Sequence, residues 1–322
     1  MRNHLHLGLK NKINMTKNLR TIALSCSATV LLSMSAIAQE NAVATPGDFG
    51  RVPQPGEPAW QAGVNSGYVA GGAAKFDGAR LADSDAFNYK LQAGTSVFLN
   101  EDWFLSLGLV SDNFSLEQVS GAPIPANIHT LRLNAGLGYR WGEKWTFSAL
   151  LSPSLYRLED VRGDDLGISG GVLARYQANP SLTWSFGLFA APDSDLPVMP
   201  VVGVRWLIND RYTLEVGMPK TRLTYRIDPK WAVYGGVDLN GAVFRTSEDL
   251  GTKTGLPQYN NALATYRDVR LGVGTSYEFA HGLRAELETG YSVYREIDYF
   301  RIDDSVRFDP APYVRLGLNI RF

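Results

Sequence analysis

From Trp60 to the C-terminus, apolar and polar residues follow one another with a period of two rather than the three-to-four spacing of a helix. The last segment is the clearest: Val314, Leu316, Leu318, Ile320 and Phe322 fall on one face, and Tyr313, Arg315, Gly317, Asn319 and Arg321 on the other. Leu131–Trp141 repeats the pattern, with Leu131, Leu133, Ala135, Leu137, Tyr139 and Trp141 against Arg132, Asn134, Gly136, Gly138 and Arg140. Val269–Phe279 does so again. A strand of this kind has one oily and one wet face.

About fourteen such segments are expected, near 60–71, 87–98, 103–114, 128–141, 145–157, 166–177, 182–190, 198–208, 211–218, 221–227, 231–245, 265–279, 283–296 and 312–322. The short pair around Pro219 can also be counted as one interrupted strand, which would give twelve.

Alternation alone also fits half-buried strands of a soluble sandwich. Two features favour a barrel that crosses a membrane. Short turns at Asn100-Glu101-Asp102, Gly142-Glu143-Lys144, Asn179-Pro180-Ser181, Asn209-Asp210-Arg211, Asp228-Pro229-Lys230 and Ala280-His281-Gly282 alternate with longer loops near 73–86, 115–127, 158–166, 191–197, 247–264 and 297–311. Only Met218-Pro219-Lys220 is short on the long-loop side. Transmembrane barrels present this contrast between periplasm and exterior.

Aromatic residues also flank the short turns: Phe98 and Trp103, Trp141 and Trp145, Tyr176 and Trp184, Trp206 and Tyr212, Tyr225 and Trp231. That arrangement predicts an interfacial girdle. The fold class is therefore all-β, a closed antiparallel up-and-down transmembrane β-barrel over residues 59–322, with both ends on the periplasmic side.

The N-terminus reads as an export signal over residues 1–38: Lys10, Lys12, Lys17 and Arg20, an apolar run from Ile22 to Met34, then Ala36-Ile37-Ala38, with cleavage after Ala38. Residues 39–58, carrying Pro46, Pro53, Pro55 and Pro58, read as a Pro-rich periplasmic linker. The one cysteine, Cys26, lies inside the apolar run, so the exported chain would hold no disulfide. The signal carries five basic and no acidic residues, leaving 26 of the 31 basic residues against 32 acidic, a net charge near −6. That balance disfavours nucleic acid as a partner. Beyond the signal no apolar run reaches the roughly 18 residues of a spanning helix.

The terminal strand ending in Phe322 resembles the C-terminal signature of outer-membrane barrel proteins. That resemblance implies delivery to the barrel-assembly machinery, with outer-membrane lipids as the other partner and the outer membrane of a diderm bacterium as the location. The region from Trp60 to Phe322, and above all Pro200–Pro219 followed by Arg222-Leu223-Thr224-Tyr225-Arg226, resembles an uncharacterised, porin-like outer-membrane β-barrel family. The resemblance implies fold and location, and brings no activity and no functional residue.

If the apolar faces meet lipid, the wet faces line a lumen containing Arg132, Arg140, Arg205, Glu215, Arg222, Arg226, Asp238, Arg270, Glu278, Glu286, Glu288, Arg315 and Arg321, with Lys90, Arg175 and Arg284 beside them. These charges can shape a field for small polar solutes in a passive or weakly selective channel. They can equally compensate one another inside a non-conducting structural or surface-binding barrel. Inward glycines, among them Gly138, Gly272 and Gly274, leave space or admit aromatic rings.

A third reading, an outer-membrane lipid hydrolase, would need a histidine base. His281 falls in a turn, and His129 is assigned to the inward phase of its strand with no serine adjacent. No enzyme activity, cofactor or metal site is assigned. Acidic loop residues (Glu159, Asp160, Asp164, Asp165, Asp193, Asp195, Glu248, Asp249, Asp298, Asp303, Asp304, Asp309) can hold divalent cations or simply be solvated.

Overall fold

The computed structural model describes residues 58–159, 161–194 and 197–322. The expected signal, all of the linker but Pro58, and the loop carboxylates Asp160 and Asp195 lie outside the described residues.

Three short turns are built alike, and each fixes a hairpin. Asn100 Oδ1 accepts the N–H groups of Asp102 (2.9 Å) and Trp103 (2.8 Å). Asn209 Oδ1 does the same for Arg211 and Tyr212 (both 2.9 Å), and Asp228 Oδ1 for Lys230 and Trp231 (both 2.8 Å). A short polar side chain folding back on the chain two and three residues on is the usual way Asn and Asp make turns. Because an aromatic residue closes each turn, Trp103, Tyr212 and Trp231 arrive at one rim.

The strands are β1 (Pro58–Phe76), β2 (Ala79–Phe98), β3 (Trp103–Leu116), β4 (Asn127–Trp141), β5 (Trp145–Leu155), β6 (Leu166–Asn179), β7 (Leu182–Ala190), β8 (Val198–Leu207), β9 (Tyr212–Val216), β10 (Lys220–Arg226), β11 (Trp231–Arg245), β12 (Leu263–Ala280), β13 (Leu283–Tyr299), β14 (Asp304–Phe308) and β15 (Ala311–Arg321). From β1 to β14 each pairs antiparallel with the next, and β14 and β15 both pair with β13 and with β1. They occupy the same slot one above the other, parted at Asp309-Pro310, where proline has no N–H to give the ladder. The barrel thus has fourteen staves and is closed. Trp60 and Phe322 exchange backbone hydrogen bonds of 2.7 and 3.0 Å, so both ends meet at the short-turn rim.

Outward side chains form an apolar belt. Leu133, Leu151, Val172, Leu188, Val202, Val273, Leu287 and Leu316 are all exposed, Val273 to 63%. A soluble protein rarely shows an apolar surface that runs all the way round it. Below the belt, Trp103 packs against Tyr139 (4.7 Å), Trp145 against Tyr176 (4.7 Å), Tyr212 against Tyr225 (4.9 Å) and Trp231 edge-on against Tyr277 (5.5 Å), a girdle at the short-turn rim. Among the described residues no helix is long and apolar enough to cross a membrane.

Four sequence expectations change. Residues 73–86 are not a loop: β1 and β2 continue as a hairpin to Asp77 and Gly78, whose positive φ makes the turn. Residues 297–311 are largely strand, in the end of β13 and in β14. Phe98 does not join the girdle; it is buried inside, against Phe104 at 5.6 Å and beneath the Arg140 guanidinium at 4.4 Å. His129 pairs with Asn113 and shares the phase of Leu131 and Leu133, so it faces outward.

Candidate functional site

The interior changes character from rim to rim. Near the short turns, Arg205 pairs with Glu215 (3.3 Å) and Arg284 with Glu278 (3.7 Å), all partly open to solvent. Arg226 and Arg321 are exposed at this rim.

Midway, the wet faces of β10–β15 converge. Arg315 donates to Asp238 (2.9 Å) and Glu288 (2.6 Å). Arg222 reaches Glu288 (3.3 Å) and Glu286 (3.7 Å) and lies 3.5 Å over the Tyr234 ring. Arg270 donates to Asp268 (2.7 Å) and to Asn88 (2.9 Å), and the Tyr313 hydroxyl donates to Glu288 (2.7 Å). On the facing wall, Asp112 takes both Arg132 (2.9 Å) and Lys90 (3.2 Å). Each of the charges named here has an opposite within reach, as desolvation at this depth demands. Sequence reasoning passed over Asp112, Asp268 and Asn88, whose polar phase on β3, β12 and β2 was the available signal.

The inward glycines in this layer are floors for rings. A Cβ at Gly138 would collide with Phe104, at Gly272 with Tyr313, and at Gly274 with Tyr234. They carry packed aromatics rather than open space.

Towards the long loops the interior is filled. Val69, Phe114, Ile128, Phe244, Tyr266, Ile297, Tyr299 and Phe308 form one apolar cluster with Val119, Ala122, Ile124 and Tyr259 from the loops. Phe114 of β3 meets Tyr266 of β12 at 4.9 Å, although many strands separate them around the wall. Burial and the Asp304 carboxylate it donates to push the Tyr259 hydroxyl above its ordinary pKa. Residues after β5 turn inward here. Arg245 of β11 donates its backbone N–H to Tyr156 O (3.0 Å), while fully buried Asp165 is held by Arg157 (3.0 Å) and Arg245 (3.2 Å).

This crossing divides the barrel. The Cα traces of β4 and β11 approach within 8 Å of each other, so that in the closed strand order β5–β10 bound a lobe of their own on one side of the approach. The lobe holds a cavity of about 340 Å³, lined by Phe104, Leu150, Leu173, Phe189, Val201, Met218 and Pro219 with Arg175, Arg205, Glu215 and Lys220. Its volume lies in the range of small-molecule sites.

Of the sequence-derived lumen residues, Arg132, Arg222, Asp238, Arg270, Glu286, Glu288 and Arg315 fall in the paired central layer. Arg205 and Glu215 face the lobe cavity, Arg140 covers Phe98, and Glu278, Arg226 and Arg321 stay at the rim.

On the outer surface His129 Nδ1 is 2.8 Å from Asn113 Oδ1, and Asn113 Nδ2 donates to Ser111 Oγ at 2.9 Å. Ser111 is bonded to the asparagine and not to the histidine, so this serine and His129 do not form a hydroxyl-to-imidazole pair. Acidic loop residues are engaged by cations: Asp193 by Arg301 (2.9 Å), Asp249 by Lys253 (2.7 Å), Asp298 by Arg267 (2.7 Å). Among the described residues no group of three or more His, Cys, Asp or Glu side chains is arranged to hold a metal ion.

No curated protein matches the chain by sequence. Similar solved structures include a FadL homologue from Pseudomonas aeruginosa, 11% identical, covering 87% of this chain and 93% of that one at a TM-score of 0.47. An outer membrane channel from Pseudomonas putida F1 is 12% identical, with 87% and 100% coverage and a TM-score of 0.46. The Pseudomonas putida toluene transporter TodX is 11% identical, with 87% and 93% coverage and a TM-score of 0.42. At such values nothing of their cargo transfers to this chain. Residues 96–322 match a sequence family over well more than half of the chain, and the protein accordingly belongs to the family described as Domain of unknown function (DUF6268), here folded as a fourteen-stave β-barrel.

Proposed function

We propose that the protein is an outer-membrane channel giving small solutes weakly selective passage, and that the route runs through the lobe of β5–β10. The observation that carries this reading is the division of the interior. The central layer is occupied by mutually paired charges and the long-loop end by an apolar cluster, whereas the lobe keeps a cavity of about 340 Å³. Moving a solute through the centre would break pairs such as Arg315 with Glu288, and separating buried partners costs about 3–5 kcal/mol.

In this reading Arg205, Glu215 and Lys220 set the polarity of the entrance. The other predicted lumen residues brace the wall. The short-turn rim faces the periplasm and the long loops face the exterior. Export by the N-terminal signal, assembly through the strand ending at Phe322, and contact with outer-membrane lipids complete the proposal.

The apolar cluster at the long-loop end favours a second reading, a non-conducting barrel. Single-channel conductance of the refolded protein in a planar bilayer separates the two. Discrete steps that vanish in Val201→Trp, which fills the lobe, and persist in Arg132→Ala/Arg140→Ala are expected. Selectivity that shifts in the double variant would return the route to the centre, and silence from folded protein would favour the closed barrel. Phospholipid hydrolysis lost in His129→Ala would revive the catalytic reading.

A further inference from the structure

We infer that the lobe opens sideways, between β8 and β11, into the outer-leaflet half of the membrane, and that its cargo is a small, largely apolar molecule exchanged with the lipid; this rests on the channel reading above.

The wall is too short there. β9 and β10 have five and seven residues. A spanning strand needs about 9–11 residues, so at the usual tilt β9 rises about 12 Å through a hydrocarbon layer of roughly 30 Å. Pairing of β8 with β9 ends at Val204 and Val216, and pairing of β10 with β11 ends at Lys220 and Asp238. Above those levels the upper part of β8, from Val198 to Gly203, and the part of β11 beyond Leu239 have no strand between them.

β8 is adapted to this edge. The hydrogen bonds from Leu207 N to Ser181 O and from Ala191 N to Pro197 O put its odd-numbered residues in the ladder with β7 and leave the even-numbered ones facing β9 or, higher up, the gap. Pro200 is one of the latter and has no N–H to leave unpaired, which is where a sheet tolerates proline. On the other side of the gap, Leu239 N is taken by Pro219 O and Arg245 N by Tyr156 O.

The cavity reaches the β8 margin of the gap at Val201 to Gly203, and the β9–β10 connection, Gly217 to Pro219, belongs to its lining. Upward exit is narrowed, because Asp193 from the loop after β7 reaches inward to the Tyr156 hydroxyl (3.2 Å) and to Arg301 (2.9 Å). With the top narrowed and no strand pairing above Val216 and Lys220, the space has a side opening to lipid beside its aqueous path. Leu150, Leu173, Phe189, Val201 and Met218 supply the surface an apolar molecule would meet, and burying it there gains the usual transfer free energy.

The test uses Val201→Cys, with Leu173→Cys as a second site, each in a Cys26→Ser chain so that the introduced thiol is the only one. The proteins are refolded into dioleoylphosphatidylcholine vesicles, and folding is checked by heat-modifiable gel mobility. Bilayer-dissolved N-(1-pyrenyl)maleimide is expected to label about tenfold faster than a membrane-impermeant sulfonated maleimide, because the apolar reagent concentrates in the layer the gap faces. Saturating N-phenyl-1-naphthylamine is expected to slow labelling severalfold, and sucrose to leave it unchanged. Labelling by the aqueous reagent alone, or protection by sucrose alone, would overturn the lateral opening and the apolar cargo while leaving the channel standing on its conductance. Folded protein whose thiols react with neither reagent would overturn the inference as well.

Discussion

Arg315 of β15 and Asp238 of β11 are 77 residues apart in the chain and 2.9 Å apart in the barrel, with β12 and β13 between their strands. The contact spans the interior and not a ladder. It forms because Arg315 also serves Glu288, and Arg222 reaches Glu288 and Glu286, so that two guanidinium groups are shared among three carboxylates.

Removing the bridge should therefore leave uncompensated buried charge. Arg315→Ala is expected to lower stability by about 3–5 kcal/mol in urea unfolding followed by tryptophan fluorescence. A loss below about 1 kcal/mol would mean that water reaches these carboxylates freely, as at a surface pair.

The edge at Pro200 gives a result opposite to residue preference. Valine is the better strand former, yet Pro200→Val adds an N–H facing the gap. We expect destabilisation of about 1–3 kcal/mol in the same assay, the cost of an unpaired donor. A stabilised variant would show that the upper part of β8 finds a partner in the membrane.

Asp165 ties the residues after β5 to Arg157 and Arg245, and accepts the Arg162 N–H at 2.8 Å. Asp165→Ala should free this segment locally. Trypsin cleavage after exposed Arg162 is expected to accelerate by on the order of tenfold while global unfolding changes less, the signature of local opening. Unchanged cleavage would show that the apolar cluster holds the segment without the ion pairs.

At the outer tip of the β1–β2 hairpin, hydrogen bonding from Lys75 holds the Asp309 carboxyl below its ordinary pKa, and Arg80 lies 3.1 Å away. A carboxylate lowered in the folded state contributes stability above its unfolded pKa and loses it as pH falls through the lower, folded one. Amide exchange in the hairpin tip, corrected for intrinsic rate, should thus rise only below the ordinary carboxylate range, and Asp309→Asn should show that raised exchange already at neutral pH. Identical exchange in variant and parent would remove Asp309 from the anchoring of the tip.

The sequence by itself determined the wall. A strand with one apolar and one polar face must alternate with a period of two, so Leu131–Trp141 and Tyr313–Phe322 disclosed which face is the apolar outer one, and the Asn and Asp turns disclosed the rim. It also marked the anomaly at Met218-Pro219-Lys220, which the structure turns into the short hairpin beneath the gap.

What the sequence left open is the far side of the lumen. One extra residue, Val293, bulges where Arg270 pairs with Ser292 and Val269 with Tyr294, and it moves Arg295, Ile297 and Tyr299 inward against the expected phase. His129 was misassigned for a simpler reason, since its phase follows Leu131 on the same strand. Whether Arg222, Arg315 and Arg132 line a passage or neutralise partners, and whether the loops close one end, depends on contacts between strands that are not neighbours. A period-two pattern fixes which face a side chain is on, but only the curvature of the closed wall decides what it meets across the interior.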